Sequence, residues 1–85
     1  MNVSKHCLTR QQQRAIPKIV MHWLIEFGAE RKAPGGVIEL YFDRQSIKRM
    51  NSELGSQIVS LCSKYLKVRL IEAPTGTIVT TYWKH

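Results

Sequence analysis

The sequence predicts an α+β fold: N-terminal helices and a middle helical segment packed on one face of a small, about three-stranded antiparallel sheet. Two observations carry this. Residues 16–27 space their apolar side chains as one helix face does, and three later runs rich in β-branched and aromatic residues read as strands between turn residues.

The segment "LTRQQQR" is expected to form a short helix from Thr9 as N-cap, which Pro17 separates from the next. In "IPKIVMHWLIEFG", Ile16, Ile19, Val20, Trp23, Leu24 and Phe27 define the apolar stripe of the main helix. Pro17 suits its first turn and Gly28 the position just past its last. The stretch "RKAPGG" reads as a turn, and "VIELYF" as the first strand. Asp43 offers an N-cap to "RQSIKRMNSEL", where Ile47, Met50 and Leu54 recur at helical spacing. Gly55 interrupts that helix, Ser56 can cap again, and "QIVSLCSKYL" continues with Ile58, Leu61 and Cys62 facing inward. The strands "KVRLIEA" and "TIVTTYW", joined by the turn "PTG", close the sheet.

Eighty-five residues suffice for one core, so residues 1–85 are expected to form a single domain. At 44% hydrophobic and 22% charged, the composition is that of a globular chain rather than a disordered one. No apolar run approaches the ~20 residues that span a bilayer, and the opening "MNVSKHCLTRQQQR" lacks a signal-peptide centre, which predicts a cytoplasmic location away from membranes. Cys7 and Cys62 have no framework spacing and read as reduced thiols. His6, His22 and His85 lack the i, i+4 spacing of helix-borne ligands, so no metal or other cofactor is expected. There is no phosphate-cradling glycine loop, and Glu39, Asp43 and Glu72 do not resemble a glycosidase pair.

Thirteen Lys and Arg against six Asp and Glu leave a formal net charge of +7, a field that draws in polyanions. Arg10 and Arg14 stand one helical turn apart; Arg44, Lys48 and Arg49 lie on the helix after the first strand; Lys67 and Arg69 project from the face opposite Val68 and Leu70. Beside Tyr82 and Lys84 these cations would combine phosphate contact with base stacking, the chemistry of single-stranded RNA binding. RNA is therefore the expected partner ahead of DNA.

Metal-free RNA cleavage needs a proton acceptor, a proton donor and cations to stabilise the developing charge. His6 and His85 have imidazoles of suitable acidity, Tyr82 would serve if nearby cations lowered its pKa, and Arg69 can hold a phosphate. His6, Arg69 and Tyr82 are thus the candidate catalytic residues. Arg10, Arg14, Arg44, Lys48, Arg49, Lys67 and Lys84 are the candidate nucleic-acid contacts.

The run from Gln12 to Pro17, with Trp23, Leu24, Phe27, Gly28, Tyr41, Phe42 and Ser46, resembles a "QQRGIP", "W-L-x-x-FG", "YFxKRS" pattern in small uncharacterised bacterial proteins. Ala15 stands where that pattern has Gly. More distantly, His6, Arg10, Arg14 and Ile16, with the closing "VTTYW", are similar to RelE-like and colicin-like ribonuclease toxin domains. That likeness implies two N-terminal helices, an antiparallel sheet and metal-independent endoribonuclease activity.

Two other readings stand beside it. One is a non-catalytic phage- or plasmid-type accessory domain that binds protein or nucleic acid. The other is a homodimer paired edge to edge through "TIVTTYW", a strand of high β-propensity with no charge before Lys84.

Overall fold

The computed structural model describes residues 2–85. Among them, helices α1 (Lys5–Gln13) and α2 (Lys18–Phe27) precede strands β1 (Ala29–Ala33) and β2 (Val37–Tyr41). Helices α3 (Arg44–Leu54) and α4 (Ser56–Cys62), a 3₁₀ turn at Ser63–Tyr65, and strands β3 (Val68–Glu72) and β4 (Ile78–Trp83) follow. The strands form one antiparallel sheet in the order β1-β2-β3-β4. The α+β class is as predicted, with one strand more than expected.

The additional strand is β1, whose last three residues, Arg31, Lys32 and Ala33, lie in the segment read as a turn. "AERKA" has no apolar alternation to reveal it, because three of its five side chains are exposed on the sheet's edge. Charged side chains are a common way to protect such an edge from unwanted pairing. The turn itself shrinks to Pro34, Gly35 and Gly36, between the paired Ala33 and Val37. Both glycines take positive φ, of 87° and 75°, which few other residues would tolerate.

Helix α1 starts earlier than predicted. Ser4 is the N-cap, accepting from the Cys7 amide at 3.0 Å, while Thr9 lies inside the helix and donates back to the Lys5 carbonyl. On α2 the buried arc centres on Val20 and Leu24, both fully buried, and spreads to Met21, Trp23 and Phe27. At about 100° per residue, Ile19 falls roughly 120° from that centre and is 51% exposed, contrary to the predicted stripe. Leu61 likewise points outward at 58% exposure, because α4 turns Ile58, Val59 and Cys62 toward the core instead. Gly28 ends α2 without a left-handed turn, at φ −61°. Its requirement is space: a Cβ there would collide with the Leu24 carbonyl oxygen.

Asp43 caps α3 as predicted, in a reciprocal arrangement with Ser46. Its carboxylate accepts from the Ser46 amide at 2.8 Å, and the Ser46 hydroxyl accepts from the Asp43 amide at 2.8 Å. Helix α2 crosses the inner face over β2 and β3, α1 packs along β4, and α3 packs against α2 and α4. Leu40, Val68, Leu70 and Ile78 form the sheet's share of the core.

The N-terminal segment covers part of the free edge of β4. Ser4 donates its amide to the Ile78 carbonyl at 2.9 Å, the Ile78 amide donates to the Asn2 carbonyl at 2.8 Å, and Arg14 occupies the Thr81 carbonyl at 2.6 Å. A second chain pairing along that edge would have to displace these contacts.

Candidate nucleic-acid interface

An open cleft of about 820 Å³ runs between α1 and β4. His6, Arg10 and Arg14 enter it from α1, and Thr80, Tyr82, Trp83, Lys84 and His85 from β4 and the residues after it. His6 and Arg10 share a helix face at i, i+4, and Arg14, the C-cap residue just past the last turn, extends that row. Two hydrogen bonds hold the walls together: Trp83 Nε1 donates to the Arg14 carbonyl at 2.8 Å, and Arg14 Nη1 donates to the Thr81 carbonyl at 2.6 Å. The Arg14 guanidinium has further N–H donors beyond that bond. Arg10 contacts His6 Nε2 at 3.5 Å and Gln13 Oε1 at 3.3 Å, long contacts that an anion can replace.

The outer face of the sheet has different chemistry. Pairing places Tyr41 and Glu39 on β2 two residues apart on that face, Arg69 opposite Tyr82, and Arg31 opposite Glu39. The Glu39 carboxylate is buried at the centre. Its Oε1 is 2.5 Å from Arg31 Nη2 and 3.6 Å from Arg69 Nε, and its Oε2 accepts from the Tyr82 hydroxyl at 2.6 Å. Both guanidinium groups also lie over the Tyr41 ring, with Cζ at 5.5 Å for Arg31 and 5.4 Å for Arg69.

This network fixes the acidity of two groups. Burial pushes the Glu39 pKa up, but the Tyr82 hydrogen bond and the charges of Arg31 and Arg69 together outweigh it, and the carboxyl sits below its ordinary value. Burial, the hydrogen bond to Glu39 and the Glu39 charge raise the Tyr82 pKa, against the smaller opposing effect of the two arginines. The condition that nearby cations make Tyr82 more acidic is therefore not met, because burial first, and then the bond to Glu39 and its charge, outweigh the two arginines. A phenol that donates to a carboxylate is poorly placed to accept a proton.

The structure separates the other predicted residues. His6, Arg10, Arg14, Tyr82 and Lys84 share the cleft, whereas Arg69 belongs to the sheet-face network. Arg44 and Lys48 line a second depression with Phe42, Ile47, Val59 and Leu66. Arg49 turns back to α2, donating to the Phe27 carbonyl at 2.5 Å near the helix's C-terminal end. Lys67 is exposed just before β3, and its carbonyl accepts from the Lys84 amide at 2.7 Å.

Glu39, Arg31 and Tyr41 were not singled out as functional by the sequence. The alternation in "VIELY" did carry a signal, since it sets Glu39 and Tyr41 on the face opposite Ile38 and Leu40. Arg31 gives none, because its strand has no apolar alternation. Among the described residues, no group of three or more His, Cys, Asp or Glu side chains is arranged to hold a metal ion, and no helix is long and apolar enough to cross a membrane.

No family model, curated protein or solved structure matches this chain.

Proposed function

We propose that this chain is an RNA-contacting protein of the cytoplasm whose phosphate-binding surface is the cleft between α1 and β4. One observation carries the reading: Arg10, Arg14 and Lys84 line a single open cleft together with the aromatic Tyr82 and Trp83. Cations beside aromatic side chains suit a polymer that offers phosphates and bases together. The formal charge of +7 supports the same partner.

The test is fluorescence anisotropy with a short unstructured RNA over a range of salt. Three phosphate contacts at about 0.7 each give a slope of roughly −2 for log affinity against log salt. Arg10→Ala and Lys84→Ala should each lower affinity and flatten that slope. Absence of binding by the wild type at low salt removes the reading.

A second reading, a metal-independent endoribonuclease, is favoured by the two imidazoles of His6 and His85 that line the same cleft. One imidazole would take the proton of a ribose 2′-OH as its oxygen attacks the adjacent phosphorus. The other would protonate the departing 5′-oxygen, leaving a cyclic phosphate and a new 5′-hydroxyl. The likeness of His6, Arg10, Arg14 and Ile16 to the RelE-like and colicin-like toxins supports it. Incubation with RNA in the presence of a chelator separates the readings: cleavage that disappears in His6→Ala and His85→Ala favours the enzyme, and intact RNA under conditions of tight binding favours the non-catalytic module.

A further inference from the structure

The open face of the sheet has a geometry that the cleft alone does not explain. Neighbouring strands lie about 4.8 Å apart, so β4 and β2 are separated by roughly 10 Å across β3. Tyr82 pairs with Arg69, whereas Glu39 pairs with Ile71, so the two residues are also offset along the strands. A 2.6 Å hydrogen bond between their tips therefore requires the Tyr82 ring to lie down across β3 rather than stand up from the sheet.

Arg69 also lies along the sheet, because its guanidinium meets both the Tyr41 ring at 5.4 Å and Glu39 at 3.6 Å. Arg31 does so from the other side, between Tyr41 at 5.5 Å and Glu39 at 2.5 Å. The Glu39 carboxylate thus acts as a clip that holds a phenol and two guanidinium groups down against the strands. Its single charge against two cations leaves this patch with a surplus of one positive charge.

We infer that the row Tyr41–Arg69–Tyr82 is a stacking platform for unpaired nucleobases, so that the RNA bound by this chain is single-stranded. This inference rests on the proposed RNA-contacting function and names its ligand class. Aromatic rings and guanidinium planes stack on bases of any identity, but only where the bases are unstacked from a helix and turned outward. Tyr41, Arg69 and Tyr82 are each partly exposed, Arg69 with its side chain at 14%. Tyr82 also lines the cleft, so a backbone held by Arg10 and Lys84 can continue directly onto the platform. Because the side chains are already held in place, little side-chain freedom remains to be lost on binding.

The experiment compares affinity for one unstructured RNA with affinity for the same RNA annealed to its complement, for the wild type, Tyr41→Ala, Tyr41→Phe and Arg10→Ala. The inference expects a single-strand preference in the wild type that Tyr41→Ala reduces by about tenfold and Tyr41→Phe retains. Arg10→Ala should weaken single-strand and duplex binding alike, since it removes a phosphate contact. Wild-type affinity in Tyr41→Ala, with Arg10→Ala still impaired, overturns the platform and leaves the cleft reading intact. If the wild type binds neither RNA, the RNA-contacting function itself falls and the platform with it.

Discussion

The Tyr82 hydroxyl donates to Glu39 Oε2 at 2.6 Å, tying the last strand to the second across the one between them. The bond couples the sheet's edge to its centre, and beside burial it contributes to the shifted acidity of both groups.

Tyr82→Phe should therefore lower stability at neutral pH by about 1.5 kcal/mol, the usual worth of a hydrogen bond to a charged group. The pH dependence has a definite sign. The folded-state pKa of Tyr82 is raised, so its contribution is complete below the unfolded value of about 10 and is lost as pH rises through the folded value. Urea denaturation should show the wild type losing its advantage over Tyr82→Phe in alkali. A constant difference across that range would show that the phenol does not titrate against Glu39.

The acid limb depends on Glu39 and Asp43. Both carboxyls are below their ordinary pKa, Glu39 through Tyr82 and the arginines against burial, and Asp43 chiefly through the Ser46 amide. Their stabilisation is present above the unfolded values of about 4 and is lost as pH falls through the folded ones. Glu39→Gln should start less stable at neutral pH, then lose less on acidification than the wild type. Asp43→Asn should remove a separate part of the acid loss, because its amide oxygen still caps α3 without titrating. Denaturation midpoints from neutral pH to about pH 3 measure both.

The three elements that the sequence displays well are those in which one face is buried. The stripe of α2 and the alternation of β2 and β3 are imprints of a core, and the Asp43 cap is a local rule that needs no tertiary information. Strand β1 left no such imprint, because an edge strand with Glu30, Arg31 and Lys32 exposed has no period to read. The site divided in the same way. Arg10 and Arg14 are legible together through helical spacing and His6 only through the resemblance to the toxin domains, but which strand α1 packs against is not. The Glu39 network depends on sheet order and register across four strands, information that arises only on folding.

Arg49 illustrates the limit of reading charge as binding. Its guanidinium donates to the Phe27 carbonyl at 2.5 Å, near the C-terminal end of α2. Arg49→Met should cost about 1 kcal/mol of stability while leaving the salt slope of RNA affinity unchanged. A flattened slope would instead place Arg49 on phosphate.

Cys7 and Cys62 are fully buried, and burial raises both thiol pKa values, that of Cys62 to about 11. A buried thiol that stays protonated at neutral pH is a poor nucleophile. A disulfide reagent should consequently label neither residue in the folded protein, and both once denaturant is added. Rapid labelling without denaturant would mean that the core around α1 or α4 opens locally.

Ala15 follows α1 with φ at +53°, and among the described residues it is the non-glycine position with positive φ. The conformation is held by bonds on either side: the Ala15 amide donates to the Gln12 carbonyl at 3.2 Å, and the Ile16 amide to Gln11 at 3.0 Å. A left-handed conformation costs an L-residue roughly 1–2 kcal/mol, whereas glycine adopts it freely. Glycine also gains about 0.4–1 kcal/mol of unfolded-state freedom, which offsets part of the relief. The strain term is the larger, and Ala15 is exposed, so its methyl group contributes little packing. Ala15→Gly should therefore stabilise the protein by about 0.5–1 kcal/mol, and Ala15→Val should destabilise it, because a β-branched side chain tolerates positive φ least. Urea midpoints of the three proteins decide the point, and a glycine variant less stable than the wild type would contradict a left-handed residue between α1 and α2.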